Sequence, residues 1–293
     1  MHRFAVSCLL AAVLALSAAA GEATIIDGDA AFPEGPYWLD GKLYYVEYGG
    51  HTIDAWDGAT STEFWKEDGC GPSAVMPFGD GFLVTCYDSG KLAAVSKDGK
   101  TTKTWDADST GAPLVGPNDL TADGQGGAYV TASGPWESAP IVGKVLHLSA
   151  DGTLAPAADD LHYANGVARS ADGKLLYVNE SDAGRVITFA VGPDGTLSDR
   201  RLFVRLTALD EPVGAYPDGI KLGPDGNLYV GQYSAGRVLV VTPAGELVRK
   251  IEVPSAAAPN LAFGPDGKTI YVTAVDDTAN APYKGKVYAV ANE

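Results

Sequence analysis

An Asp-Gly pair followed at once by a short β-rich run recurs six times along this chain. The pairs are Asp40-Gly41 before KLYYVE, Asp80-Gly81 before FLVTCY, Asp123-Gly124 before QGGAYVT, Asp172-Gly173 before KLLYVNE, Asp225-Gly226 before NLYVGQ and Asp266-Gly267 before KTIYVTA. They lie 40, 43, 49, 53 and 41 residues apart. Each unit then carries a second glycine that opens another apolar run, as in GKLAAVS at Gly90 and GRVLVVT at Gly236. Asp-Gly between alternating apolar residues signals a hairpin, because a type I′ turn needs positive φ at both central positions. Beyond the first twenty residues no segment keeps a 3.6-residue apolar period over a dozen positions, which disfavours βαβ units and helical repeats. Units of roughly 40–50 residues with about four strands each read as β-propeller blades. The expected fold is therefore all-β, a single six-bladed propeller over residues 21–293. The run ATIID, Ala23 to Asp27, precedes the first unit, and the last unit stops after its third strand. The N-terminal strand is thus expected to complete the last blade and close the ring.

Five to seven residues ahead of each pair, the innermost strand of a blade begins at one mouth of the channel. There stand Glu34-Gly35-Pro36, Ser73-Ala74-Val75, Asn118-Asp119-Leu120, Asn165-Gly166-Val167, Asp218-Gly219-Ile220 and Asn260-Leu261-Ala262. Five of the six begin with a carboxylate or an amide. Set in register around a ring, they aim hard oxygens at one axial spot, which suits Ca²⁺ or Mg²⁺. Taken singly, Asn-Gly and Asp-Gly are more often turns than ligands. The phase favours ligands, since the later Asp-Gly pairs already occupy the hairpin tips.

FPEGPYW, GPNDL, ANGVARSADGKLLYV and PDGIKLGPDGNLYVG, spread in order between Phe32 and Val272, resemble the motifs of the SMP-30/gluconolactonase/LRE-like family. The resemblance implies a six-bladed propeller that hydrolyses lactones with Ca²⁺, other divalent cations such as Zn²⁺, Mn²⁺ or Mg²⁺ being possible occupants. It implies Glu34, Asn165 and Asp218 as metal ligands and Asn118 as a contact to metal or substrate. Asp218 is the candidate catalytic base, or it only orients a water beside the metal. Members of the regucalcin type carry an Arg two residues before the blade-three Asn; here that residue is Gly116, which weakens the expectation of acidic sugar substrates.

Antiparallel pairing returns the ends of the second strands, among them Glu47, Cys86 and Glu180, to the same mouth. Glu180 is read either as a substrate-binding carboxylate or as a solvated rim residue, and Asn260 as a further substrate contact. The stretches from Gly134 to Val142 and from Asp277 to Lys284 are candidate lids that would bring Trp136 and Tyr283 to the entrance. His162 is read as structural rather than as a base, and His51 and His147 as packing residues. The Asn179-Glu180-Ser181 sequon reads as incidental.

Met1-His2-Arg3, the apolar run from Phe4 to Leu16 and Ala18-Ala19-Ala20 read as a secretory signal peptide over residues 1–20, so a periplasmic or secreted protein is expected. Cys8 leaves with it. Cys70 and Cys86 then form a disulfide candidate, with two buried thiols as the other reading. A net charge of −16 with no Lys/Arg run makes nucleic acid and anionic membranes poor partners. No GxSxG, P-loop, CxxC or HExxH pattern occurs. The function expected is an exported, monomeric, Ca²⁺-dependent hydrolase of a small-molecule lactone or ester. A non-catalytic binding module with a structural Ca²⁺ and a phosphotriesterase-like hydrolase fit the same residues.

Overall fold

The computed structural model describes residues 23–136 and 141–293; the leader expected over residues 1–20 lies outside them. The strands follow the repeat. Blade one holds β2 (Pro33–Leu39), β3 (Lys42–Glu47), β4 (Thr52–Trp56) and β5 (Ser61–Lys66). Blade two holds β6 (Pro72–Phe78), β7 (Gly81–Cys86), β8 (Lys91–Val95) and β9 (Thr101–Trp105). Blade three holds β10 (Pro117–Ala122), β11 (Ala128–Ala132), β12 (Gly143–Leu148) and β13 (Leu154–Leu161). Blade four holds β14 (Ala164–Arg169), β15 (Leu175–Glu180), β16 (Arg185–Val191) and β17 (Leu197–Arg205). In blade five come β18 (Pro217–Leu222), β19 (Leu228–Gln232), β20 (Arg237–Val241) and β21 (Leu247–Glu252). Blade six holds β22 (Ala257–Phe263), β23 (Thr269–Val275) and β24 (Lys284–Ala291), and its outer strand is β1 (Thr24–Ala31), antiparallel to β24. Among the described residues the one helix is a 3₁₀ turn at Leu206–Leu209, and none is long and apolar enough to cross a membrane.

The inner strands β2, β6, β10, β14, β18 and β22 pack in that order, and β22 returns against β2, so the ring is closed. The apolar core lies between the blades. Six buried clusters fill the six blade-to-blade interfaces, for example Met76 and Leu83 against Leu120 and Val130, or Leu43 and Tyr45 against Tyr271 and Val287. Each sheet buries both faces of its inner three strands, which is why those read as apolar runs. The outer strands are largely exposed and lack that signal.

The hairpins differ from the expected type in most blades. Only Asp40-Gly41 has positive φ at both residues, 50° and 82°. In blades four to six the Asp side chain accepts from the N–H two residues on (Lys174, Asn227, Lys268), and only the following Gly takes the left-handed conformation. The Asp therefore caps a longer turn of Asx type rather than forming a two-residue loop. Cys70 and Cys86 are joined by a disulfide across a 16-residue separation, tying the entry of blade two to its second strand.

The closing strand meets blade one through acids. Tyr45 donates its hydroxyl proton to Asp27 of β1, and Glu47 stands beside Asp54, Asp27 and Asp29 while accepting from the Ala31 N–H. Burial, then Asp54, pushes Glu47 up to about 7, against the pull of that N–H. A carboxyl raised on folding holds its proton more tightly in the folded chain, so its contribution is complete below the unfolded value and is lost as pH climbs through the folded one. The thermal midpoint of the wild-type chain is therefore expected to fall between pH 5 and 8 more steeply than that of Glu47→Gln; parallel curves from a melting series would refute this role.

Candidate metal and substrate site at the channel mouth

All six inner strands break register at the same place, between Glu34 and Tyr37, Pro72 and Ala74, Pro117 and Leu120, Ala164 and Val167, Pro217 and Ile220, and Ala257 and Asn260. A bulge at that point re-aims side chains. In blades three, four and five Asn118, Asn165 and Asp218 lie inside it, in blade one Glu34 stands at its edge, still paired with Val46, and these four form the floor of one cavity of about 170 Å³ together with Ser73. Gly166 and Gly219, which follow Asn165 and Asp218, are there for proximity and not for turning, whereas Gly35 also takes a left-handed φ of 45°. A Cβ on Gly166 would stand 2.3 Å from the Asp218 carbonyl oxygen, and one on Gly219 would stand 2.1 Å from Asn260 Cγ.

Three of the floor backbones are held by the blade before them. Thr85 Oγ1 donates to the Asn118 carbonyl at 2.6 Å, Thr131 Oγ1 to that of Asn165 at 2.6 Å, and Asn179 Nδ2 to that of Asp218 at 2.5 Å. These three residues occupy one register, directly before Cys86, Ala132 and Glu180. That phase is present in the sequence and passes unnoticed without the floor residues to align it. It also buries Asn179 completely, so the sequon is closed to modification.

The floor is electrically unbalanced. Burial, with Asp218 and Asp119 nearby, pushes the Glu34 carboxyl well above the usual carboxylate range. Burial and then Asp119 push Asp218 up to about 8, against the Asn165 amide and Lys221. Asn165 Oδ1 is buried with no hydrogen-bond partner. Two crowded carboxylates, an orphaned amide oxygen and a second amide at Asn118 are the donors that a hard divalent cation takes. Among the described residues no three His, Cys, Asp or Glu side chains gather to hold a metal by themselves, so the amides are essential to the set.

Above the floor the wall is aromatic: Phe32, Tyr48, Tyr87, Trp136, Tyr163, Tyr233 and Tyr283 line the cavity. Of these, only Trp136 and Tyr283 are expected at the entrance from the sequence. The signal for three others is that Tyr48, Tyr87 and Tyr233 directly follow the last residues of β3, β7 and β19. Burial pushes the hydroxyls of Tyr48, Tyr87 and Tyr163 above the ordinary phenol range and that of Tyr233 up to about 12, so all stay protonated at neutral pH.

The chain matches the SMP-30/gluconolactonase/LRE-like region across residues 32–276. It belongs to that family. Lactonase drp35 of Staphylococcus aureus (strain USA300) is 30% identical over 195 residues, which is 62% of this chain and 57% of that protein, so the chain spans less than two thirds of this relative. Among solved structures, a gluconolactonase of Xanthomonas campestris superposes with a TM-score of 0.76 at 20% identity, over 94% of this chain and 99% of that one. The calcium-binding protein regucalcin of Agrobacterium tumefaciens str. C58 gives 0.77 at 17% identity, over 92% and 93%. At these identities the two structures establish the shared propeller fold.

Two expected substrate contacts of this SMP-30-family chain need correcting. Asn260 is two positions deeper than the floor register, because Ala257 pairs Val275 as Pro217 pairs Gln232, which makes Ala258 the counterpart of Asp218. Asn260 is buried and donates through Nδ2 to Glu34 Oε2 at 2.9 Å, so it braces a floor carboxylate instead of meeting a ligand. Glu180 is neither a rim residue nor a site residue. It is fully buried, accepts from Arg185 Nε at 2.6 Å, Arg200 Nη2 at 2.9 Å and the His162 N–H at 2.9 Å, and it does not line the cavity. His162 contributes its backbone, His147 pairs Asp123 and stacks on Tyr129, and His51 accepts from the Gly71 N–H. Of the two candidate lids, residues 137–140 lie outside the described residues. Glu180→Gln is expected to cost about 3 kcal/mol of stability by leaving two guanidinium groups short of a counter-charge, without altering cation binding at the floor. Chemical denaturation alongside a cation titration checks both, and an altered cation affinity would return Glu180 to the site.

Proposed function

We propose that this chain is an exported hydrolase of small lactones or related esters, working at the channel mouth with a divalent cation, Ca²⁺ foremost, held by Glu34, Asn165 and Asp218 with Asn118 beside them. One observation carries the reading. The buried Asn165 Oδ1 has no partner and shares its cavity with two carboxylates that burial disfavours. An unsatisfied buried acceptor costs about 1–3 kcal/mol, and a cation at the floor relieves it and the carboxylates together. When bound, such a cation supplies a Lewis acid for an ester carbonyl and lowers the pKa of water. The protein's own part is positional. Glu34 is fixed by Asn260 and by the Gly35 N–H, and the Asp218 backbone by Asn179. Asp218 presents its carboxylate in the cavity to orient a water or take its proton. Family membership and the names of its lactonase and gluconolactonase relatives support lactones as the substrate class. The Cys70–Cys86 disulfide supports export, since such bonds persist in oxidising compartments.

Acid release from γ-butyrolactone and glucono-δ-lactone, followed by pH-stat, is expected to stop in EDTA and to return with Ca²⁺. Glu34→Gln and Asp218→Asn are expected to lower kcat/KM at least about a hundredfold, and Asn165→Leu to abolish the Ca²⁺-induced rise in thermal midpoint. Full turnover in EDTA, or in either carboxylate variant, would defeat the proposal. A preserved Ca²⁺ response with no turnover of any lactone would leave a binding module.

A further inference from the structure

The aromatic wall is a closed collar. Ring contacts run from Tyr87 to Tyr48 at 6.4 Å, Tyr48 to Phe32 at 5.3 Å, Phe32 to Tyr233 at 6.0 Å, Tyr233 to Trp136 at 5.6 Å and Trp136 to Tyr163 at 5.2 Å. The circuit closes where the Tyr163 hydroxyl donates to that of Tyr87 at 2.9 Å. Tyr283 leans on Phe32 edge to face. Three of these residues hold left-handed backbone, Phe32 at φ 53°, Tyr163 at 56° and Tyr283 at 61°. Bulky side chains rarely adopt that conformation, and strain of this kind gathers where placement matters to function.

The collar offers a ligand mainly faces and edges, with the hydroxyls of Tyr233, Tyr283 and Thr278 as its remaining polar groups. Three hydroxyls are already committed, Tyr48 to Asp88, Tyr87 to the Gly134 carbonyl and Tyr163 to Tyr87, each at 2.9 Å. No side chain reaches in from Gly116, where a Cβ would meet the Gly134 oxygen at 2.5 Å and the Tyr87 ring at 2.9 Å. Among the described residues no Lys, Arg or His lines the cavity, and Lys221 below it is paired with Asp119. The chain as a whole carries a net charge of −16, a field that disfavours the approach of anionic ligands.

We propose that the collar selects lactones or esters bearing an uncharged aromatic ring over polyhydroxylated and anionic ones, an inference that rests on the hydrolase reading for its reaction and on the collar for its choice. A planar ring entering this circuit meets edges and faces at the spacing that aromatic pairs favour, whereas a polyol would find too few partners along the collar for its several hydroxyls.

Binding and turnover are measured separately on the full chain. The lactam 5-phenyl-2-pyrrolidinone, which mimics the phenyl lactone without being hydrolysed, is expected to quench the protein's intrinsic fluorescence with a Kd at least about tenfold below that of 2-pyrrolidinone. γ-Phenyl-γ-butyrolactone is expected to exceed γ-butyrolactone and glucono-δ-lactone in kcat/KM by a similar factor. Tyr233→Leu, with Phe32→Leu as a second variant, is expected to reduce the phenyl preference to threefold or less, and Tyr233→Phe to keep it. Equal Kd values for the two lactams, or a preference untouched in both leucine variants, would overturn the selection even if all lactones are hydrolysed. Phenyl-selective lactam binding without turnover of any lactone would uphold the selection and overturn the hydrolase reading.

Discussion

Six inner strands crowd one axis so closely that a single added carbon at Gly35, Gly166 or Gly219 would strike a neighbouring strand or side chain. The rest of the site follows from that proximity. Strands this close but in different sheets cannot exchange a ladder of hydrogen bonds, so their carbonyls at the bulges must find side-chain donors. Thr85, Thr131 and Asn179 meet that need from one register, each reaching across a blade boundary. Asn118, Asn165 and Asp218 are thus each fixed by two blades, as Glu34 is through Asn260, and the geometry of the mouth becomes a property of ring closure, which β1 completes.

A floor fixed in this way can hold an arrangement that a softer site would relax away. Glu34 and Asp218 face the same cavity, burial and like charge oppose their ionisation, and an amide oxygen beside them has no partner. A free loop would turn such groups toward water. Here six interblade cores and the bracing of Glu34 by Asn260 leave them no alternative position. Local cost held in place by surrounding structure is what a binding site looks like in free-energy terms.

The repeat was legible because each hairpin spends an Asp and a Gly, and the floor positions Glu34, Asn118, Asn165 and Asp218 because they keep phase with those hairpins. Asn260 failed for a definite reason. Blade six carries Ala258 where the others carry floor residues, and the nearest polar residue lies beyond the bulge, where phase alone cannot count the extra residue. Glu180 failed because a strand end names a location and not a direction. Its side chain turns to Arg185 and Arg200, five and twenty residues on, and no pattern in the sequence announces that pairing. The collar was half hidden because its residues sit at strand entrances and exits rather than within the repeat's own period. Phe32 and Tyr163 stand directly before inner strands at the place that Gly71 and Gly116 fill in blades two and three.

That last equivalence separates two tasks within one architecture. The position before each inner strand demands left-handed backbone in four blades, at φ 53°, 54°, 60° and 56°. Glycine meets the demand without strain, as in blades two and three, while Phe32 and Tyr163 meet it with a ring. An aromatic residue there has no advantage to the ring of blades, so its justification lies in what it presents to the cavity. The floor is built from bulges that the closed ring dictates, and the wall from loop positions that the ring leaves free. All six blades contribute a wall residue, from Phe32 and Tyr48 in blade one to Tyr283 in blade six. The geometry of the floor is therefore held by packing, while a wall residue can be exchanged one side chain at a time without disturbing the fold.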